Sequence, residues 1–432
     1  MFSVKMVWPC IVMSCIVITS CNRNPVSGDR HSSSGEITVA KSSLAQEKPV
    51  VDPADRESLV TGNIRFAVDF YRQLAVEDGN VFFSPYSISS ALAMTYGGAK
   101  GATKQEMREV LHFTLDSALL HKNFNALEDD ILSDSDIKLS IVNQTWGEYR
   151  TVFKQEYLDL LAVNYGTGIN LVDFAGDPDG CRELINSWIA DQTSDKIPDL
   201  LPEESIDAAT TLALTNAIYF YGNWQTQFDK GLTVDKPFYR SPDDTVNAAM
   251  MSFSDNPDET MQFRYTKNDY CSALELPYTG NRFAMTVILP ADSNLSGFEQ
   301  QLSVDRISQI TEQLETEDVH VTLPAFSFTS ASLPLKRKFM NLGMNNPFTG
   351  EADFTGICES PRIFIDDIHH KAFINVNEEG TESAAASGVV MVWESAQQVE
   401  RFVANRPFFF MIRDRETGTI LFMGRVVDPT QS

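Results

Sequence analysis

An α+β fold is what this sequence predicts, and three observations predict it. Apolar residues recur at helical spacing in the first half. Alternating and β-branched runs fill the second half, and no later break in composition divides the body into further domains. With 432 residues, 43% of them hydrophobic, the chain can bury a large core and is unlike a disordered protein.

At the N-terminus, "MFSVKMVWPCIVMSCIVITSC" sets one Lys before an apolar stretch too short to stay in a bilayer as a span, then small residues before Cys21. Residues 1–20 are therefore expected to be a signal peptide. "ITSC" resembles a bacterial lipobox, which implies a lipid on the Cys21 sulfur; a plain secretion signal is the alternative. Cys15 is a poorer candidate because little apolar sequence precedes it. Residues 21–55 are polar, Ser- and Pro-rich and aperiodic, the composition of a flexible tether, which leaves 56–432 as the folded body.

From about Asn63, the residues Ile64, Ala67, Val68, Tyr71 and Ala75 fall on one helical face. "INSWIADQTSDKIPDLLP", Ile185 to Pro202, reads as another helix closing at a proline. Val319, Val321 and Leu323 alternate with His320 and Thr322, the pattern of a half-buried strand, and "ALELPY", "RFAMTVILP" and "TILFMGRVV" add further strands. "RIFIDDIHHKAFINV" and "RPFFFMIRD" also suit strands. Between them runs "NEEGTESAAASGVVMVWESAQQVERF", Asn377 to Phe402, longer than the about 12–15 residues that an idle connection reaches in a compact domain, so this loop is expected to have a function.

Charge and motifs narrow the function. A net charge of -25 argues against nucleic acid or an anionic membrane surface as partner and favours neutral or basic ones. No Lys/Arg run suggests a polyanionic activator. Cys181, Cys271 and Cys358 are isolated thiols without disulfide or zinc spacing. No GxSxG, HExxH, Walker A or dinucleotide motif occurs, and "GGAKGATK" at Gly97 fails the phosphate-loop spacing. "GDPDG" at Gly176 reads as a turn. His369 and His370 are adjacent on a strand, face opposite ways and so do not chelate one ion together. No cofactor or metal is expected, and an enzyme is the weakest class.

Four long stretches carry a resemblance. "NVFFSPYSISSALAMTYGGAKGATKQEMREVL", "LTNAIYFYGNWQTQF", "HKAFINVNEEGTESAAA" and "RPFFFMIRDRETGTILFMGRVVDP" are similar, in order and spacing, to signatures of the serpins, over about residue 56 to Pro429. The resemblance implies roughly eight or nine helices, three β-sheets and an exposed reactive loop, the stretch between the two strands above. In that family the loop is bait: a serine protease, with cysteine proteases as a second class, cuts one bond, and the severed loop enters the largest sheet as a new strand with the acylated protease attached. A covalent complex formed by a monomeric inhibitor is the implied partnership. A non-inhibitory member serving as carrier, chaperone or surface protein is the alternative.

Site residues carry over onto matching positions. The hinge is Glu378, Gly380, Thr381, Glu382, Ser383, Ala384, Ala385 and Ala386. Alternation sets Thr381, Ser383, Ala385 and Ser387 on one face and Glu382, Ala384, Ala386 and Gly388 on the other; the side chains are small, as a segment entering a packed sheet requires. Ser84, Ser87, Asn216 and His370 match a polar cluster beneath the centre of the main sheet, and Trp224 and Glu378 match the place where insertion begins. Family spacing from Glu378 lands on Glu394 and Ser395 as the reactive bond, with Trp393 and Met391 or a neighbouring valine as alternatives. An acidic bait suits a protease with a basic pocket, and Trp or Met suits an apolar one.

Overall fold

Asp52 accepts the amide of Ala54 and Pro53 takes the first helical position, so the chain's first helix, α1 (Pro53–Leu74), begins well before Asn63. The periodic residues Ile64 to Tyr71 belong to it, and Ala75 is its C-cap. The computed structural model describes residues 37–256, 258–330, 332–360, 362–381 and 399–431. Eight more helices occur among them: α2 (Pro85–Tyr96), α3 (Gly101–Val110), α4 (Ser117–Leu132), α5 (Gln155–Tyr165), α6 (Pro178–Gln192), α7 (Leu295–Gln301), α8 (Val304–Glu312) and α9 (Lys336–Asn341). The helix expected over Ile185–Pro202 is α6. It starts earlier, on the Asp177 cap, and stops at Gln192, because Ser194 and Asp195 adopt left-handed backbone that a helix does not continue through.

Eight strands form the first sheet: β1 (Thr38–Ala40), β3 (Ile137–Glu148), β4 (Ile169–Val172), β5 (Leu212–Asn223), β12 (Phe326–Thr329), β13 (Leu333–Pro334), β14 (His369–Val376) and β15 (Gly380–Thr381). Its order is β1-β4-β3-β5-β15-β14-β12, with β13 beside β14. Ten form the second: β2 (Val81–Phe83), β6 (Val234–Ser241), β7 (Asp244–Ser252), β8 (Met261–Lys267), β9 (Cys271–Pro277), β10 (Phe283–Pro290), β11 (Glu315–Pro324), β16 (Glu400–Val403), β17 (Phe408–Asp414) and β18 (Ile420–Val426). The strands foreseen at 273–278, 282–290, 319–323 and 419–427 all lie here, in β9, β10, β11 and β18. β11 pairs with β8 at one end, with β7 at the other and with β16 along its middle. What the resemblance implies as separate second and third sheets is thus one hydrogen-bonded network among the described residues.

The layers follow from burial. α2 is buried along its whole length and lies between the sheets, touching β3, β5 and β18. Its side chains are apolar or small and polar, including Ser87, Ser89 and Ser90, which suits a helix buried all round. On the other face of the first sheet, α6 packs Ile185 and Ile189 on Val142, Trp146 and Ala217 in a second, smaller core.

The expected tether boundary at residue 56 moves. Thr38, Val39 and Ala40 pair antiparallel with Leu171, Asn170 and Ile169 as the sheet's outermost strand. The following residues are strapped down: Ser42 Oγ donates to Asp159 at 2.5 Å, the Glu47 amide donates to the Val163 carbonyl at 3.0 Å, Asn125 Nδ2 donates to the Glu47 carbonyl at 2.8 Å, and Lys48 pairs with Asp129 at 3.0 Å. These contacts are mostly backbone and polar, so a polar aperiodic sequence forms them without showing hydrophobic periodicity.

Candidate functional site

The centre of the first sheet is a seam between β5 and β14 with two differently built halves. In the lower half the strands pair directly in parallel, His369 to Ala372 against Thr215 to Ile218. Above Ala372 they part, and the two residues of β15 stand between them: Thr381 pairs with Val376 on one side and Gly222 on the other, and Gly380 with Asn223. Gly380 is required there. A Cβ on it would lie 2.1 Å from the Gly222 carbonyl oxygen.

A polar cluster closes the lower half. Ser84, the N-cap of α2, donates its amide to His370 Nε2 at 3.1 Å and its hydroxyl to the Leu421 carbonyl at 2.6 Å, and its oxygen accepts the Ser87 amide at 3.1 Å. Because Nε2 accepts, the ring proton sits on Nδ1, which donates to Asn216 Oδ1 at 2.6 Å. Asn216 Nδ2 in turn donates to Ser87 Oγ at 2.5 Å and to Asn143 Oδ1. His370 is fully buried, and burial pushes its pKa down to about 3, which fits this neutral tautomer. The four residues expected as a cluster, Ser84, Ser87, Asn216 and His370, do meet. Asn143 of β3 joins them, level with Asn216, and was not foreseen. Its signal was available: an Asn in a strand core needs a partner.

The upper half holds the hinge in place. Trp224 stacks on Tyr278 with ring centres 4.7 Å apart and donates Nε1 to the Asn377 carbonyl at 2.9 Å. The Trp224 and Phe228 amides donate to the Glu379 and Glu378 carbonyls, each at 2.9 Å. Glu378 accepts Thr233 Oγ1 at 2.5 Å, and the buried Glu379 pairs with Lys230. Asn377 Oδ1 accepts the amides of Glu379 and Gly380, closing the turn from β14 to β15. Thr381 is 1% exposed, and its hydroxyl lies 2.8 Å from that of Tyr278, whose buried phenol is pushed above its usual pKa range. Trp224, Glu378, Gly380 and Thr381 therefore come together as expected, with Lys230, Thr233, Tyr278, Asn377 and Glu379 as unforeseen partners. Hinge residues Glu382, Ser383, Ala384, Ala385 and Ala386, the bond candidates Met391, Trp393, Glu394 and Ser395, and Cys21 lie outside the described residues.

Fold and site define a class: an α+β protein whose main sheet is split at its centre, with the two residues of β15 standing in the split. Comparison with known proteins gives the family. The profile of the serpin (serine protease inhibitor) family matches residues 61–429. A serpin-like protein of Methanosarcina acetivorans is 36% identical over 91% of this chain and 94% of its own length, and the leukocyte elastase inhibitor of Bos taurus is 37% identical over 86% of this chain and all of its own. Among solved structures, uncleaved ovalbumin superposes with a TM-score of 0.78 at 28% identity, covering 86% of this chain and 100% of its own. Human thyroxine-binding globulin complexed with thyroxine superposes with a TM-score of 0.79 at 26% identity, covering 87% and 100%. The chain belongs to the serpin family, whose members include a protease inhibitor and a thyroxine-binding protein.

Proposed function

We propose that this serpin inhibits serine proteases as a suicide substrate. The protease hydroxyl attacks the carbonyl carbon of the bait residue. An ester forms, the peptide C–N bond breaks, and the new amine leaves with the transferred proton. The loop, no longer tied at its far end, then zips down the seam faster than water hydrolyses the ester.

The observation that carries this reading is the half-threaded seam. Extending the register of Thr381 with Val376 and Gly222 downward brings Ser387 level with both His370 and Asn216, and Met391 level with Leu212, the first residue of β5. The inserted strand would thus run the length of β5. The Ser387 hydroxyl would arrive where the entering strand separates His370 from Asn216, and can replace the bond they lose. A cut at or beyond Met391 leaves enough loop for this, which supports Glu394–Ser395 as the bait bond, with Trp393 and Met391 as alternatives.

Incubation with a glutamyl endopeptidase, chymotrypsin, subtilisin and elastase tests the proposal. At least one is expected to form a denaturant-stable band of the summed mass, with mass spectrometry placing the cut between residues 391 and 395. Clean cleavage without such a band for every protease would favour the carrier or chaperone reading instead.

The same reading sets the inhibitor outside the cytoplasm on a lipid at Cys21. Residues 22–36 separate Cys21 from the first described residue. Fractionation of wild type and Cys21→Ala decides it: wild type is expected in membranes and the variant in the soluble fraction, while a soluble wild type leaves export alone.

A further inference from the structure

Five charged side chains of both signs, four exposed and Lys104 half-buried, line one open cavity without an ion pair, although Glu109 accepts from Gln105 at 2.9 Å and Lys104 donates to Ser117 at 3.3 Å. The cavity, about 1070 Å³, lies between α1, α3 and the loop 112–114. α1 contributes Glu57 and Arg65, and α3 contributes Lys104, Arg108 and Glu109. Among the described residues none of the five has an oppositely charged group within 4 Å, although the chain as a whole carries an acidic excess of 25 charges. The buried rings of Tyr96 and Phe113, edge to face at 5.3 Å, also line it.

Apart from Arg108, which ties the loop to α3 and keeps Nη1 for a ligand, the walls are fixed by other groups. Gly62 lets the loop press on α1, since a Cβ there would stand 2.5 Å from the His112 carbonyl oxygen. His112 has left-handed backbone (φ 52) and its ring nitrogen lies 2.8 Å from Asp69. The hydroxyls of Ser58 and Thr114 are 2.7 Å apart, and Arg108 donates to the carbonyls of Phe113 and Thr114. Lys104 stands 4.6 Å from the Tyr96 ring centre, and burial, together with Lys100 and Arg108, holds its pKa below the usual lysine range.

Unpaired charges on a convex helix face are simply solvated. Here they surround a concavity backed by aromatic rings, where a partly dehydrated Lys gains from an anion. Three cations alone would accept any anion, but Glu57 and Glu109 repel a multiply charged one. We propose that this cavity binds a zwitterion, specifically a short peptide with both termini free. Its carboxylate is met by Arg65, Lys104 and Arg108, and its ammonium by Glu57 and Glu109. The volume is at the upper end of small-molecule sites, about 300–1,000 Å³, and so fits a few residues better than a single amino acid.

Calorimetry on the full chain with trialanine, N-acetyl-trialanine amide and inorganic phosphate tests the inference. Trialanine is expected to bind saturably, with the doubly capped peptide and phosphate each at least tenfold weaker. Arg65→Gln and Glu57→Gln, both at exposed positions, are each expected to weaken trialanine at least tenfold while the thermal midpoint stays unchanged. Equal binding of the capped peptide, equal or tighter binding of phosphate, indifference to both substitutions, or no saturable trialanine binding at millimolar concentration would each overturn it.

Discussion

The two halves of the seam use the same strands and hold them by different means. Below, β5 and β14 satisfy each other's backbone directly, and a histidine, two asparagines and two serines lock them from beneath. Above, both strands have given up their mutual bonds and take them from a two-residue strand continuous with the loop. The difference teaches where the molecule is ready to change. On the proposed mechanism, the upper half is where insertion starts and the lower half is the barrier it has to cross.

The largest expected effect comes from blocking the upper half. Thr381→Arg forces a guanidinium into a site that is 1% exposed, where an unpaired charge costs several kcal/mol. The loop should still be cut, but the fraction of protease trapped, read from band intensities on a denaturing gel, should fall at least tenfold. Unchanged trapping would separate insertion from the hinge and dissolve the comparison.

Weakening the lower half should act in the opposite sense. Asn216→Ala leaves the His370 Nδ1 proton without its acceptor and removes a donor from Ser87 and Asn143, a loss of about 2–3 kcal/mol. A lower urea midpoint, together with faster loss of inhibitory capacity on warm storage, is the expected result. If inhibition outlasts that of wild type, the cluster is not the barrier.

The lower half should also be acid-sensitive through His370. His370 has its pKa lowered from 6.5 to about 3 in the folded state, so the unfolded chain binds the extra proton first. Stability from this group is complete above about pH 6.5 and declines toward pH 3 by about 1.4 kcal/mol per unit. Comparing unfolding midpoints of wild type and His370→Gln from pH 7 to 4 isolates that slope, since the variant should lack it.

The smallest effect belongs to the single bond between Tyr278 and Thr381. Tyr278→Phe keeps the stack on Trp224 and removes the hydroxyl contact, a change of about 1 kcal/mol. Limited proteolysis at the hinge should quicken slightly while the stoichiometry of inhibition holds.

The sequence made the lower cluster legible better than its surroundings. Ser84, Ser87, Asn216 and His370 sit inside long recognisable motifs, whereas Asn143, Lys230, Thr233 and Tyr278 read as ordinary polar or aromatic residues until the fold brings them beside residues far along the chain. The α+β architecture and most strands followed from periodicity. The strap from Ile37 to Asp52 did not, because it is held largely by backbone pairing and single polar contacts, which leave no pattern in a hydropathy profile. The early stop of α6 was missed for a related reason. A left-handed pair such as Ser194 and Asp195 is set by local packing and not by composition.

The strap also bears on how copies of the protein behave toward each other in concentrated solution. The outermost strands of the first sheet are β1, three residues long, and β12, four residues long. Short borders give a neighbouring chain little backbone to grip, a common protection against edge-to-edge aggregation. The seam in the middle of the sheet offers no more: among the described residues β5 pairs with β14 through Ile218 and with β15 from Gly222, so residues 219–221 alone stand between the two pairings. A synthetic peptide with the sequence of residues 381–391 is therefore expected to bind once the lower half opens, and native gels of warmed samples with and without it check this.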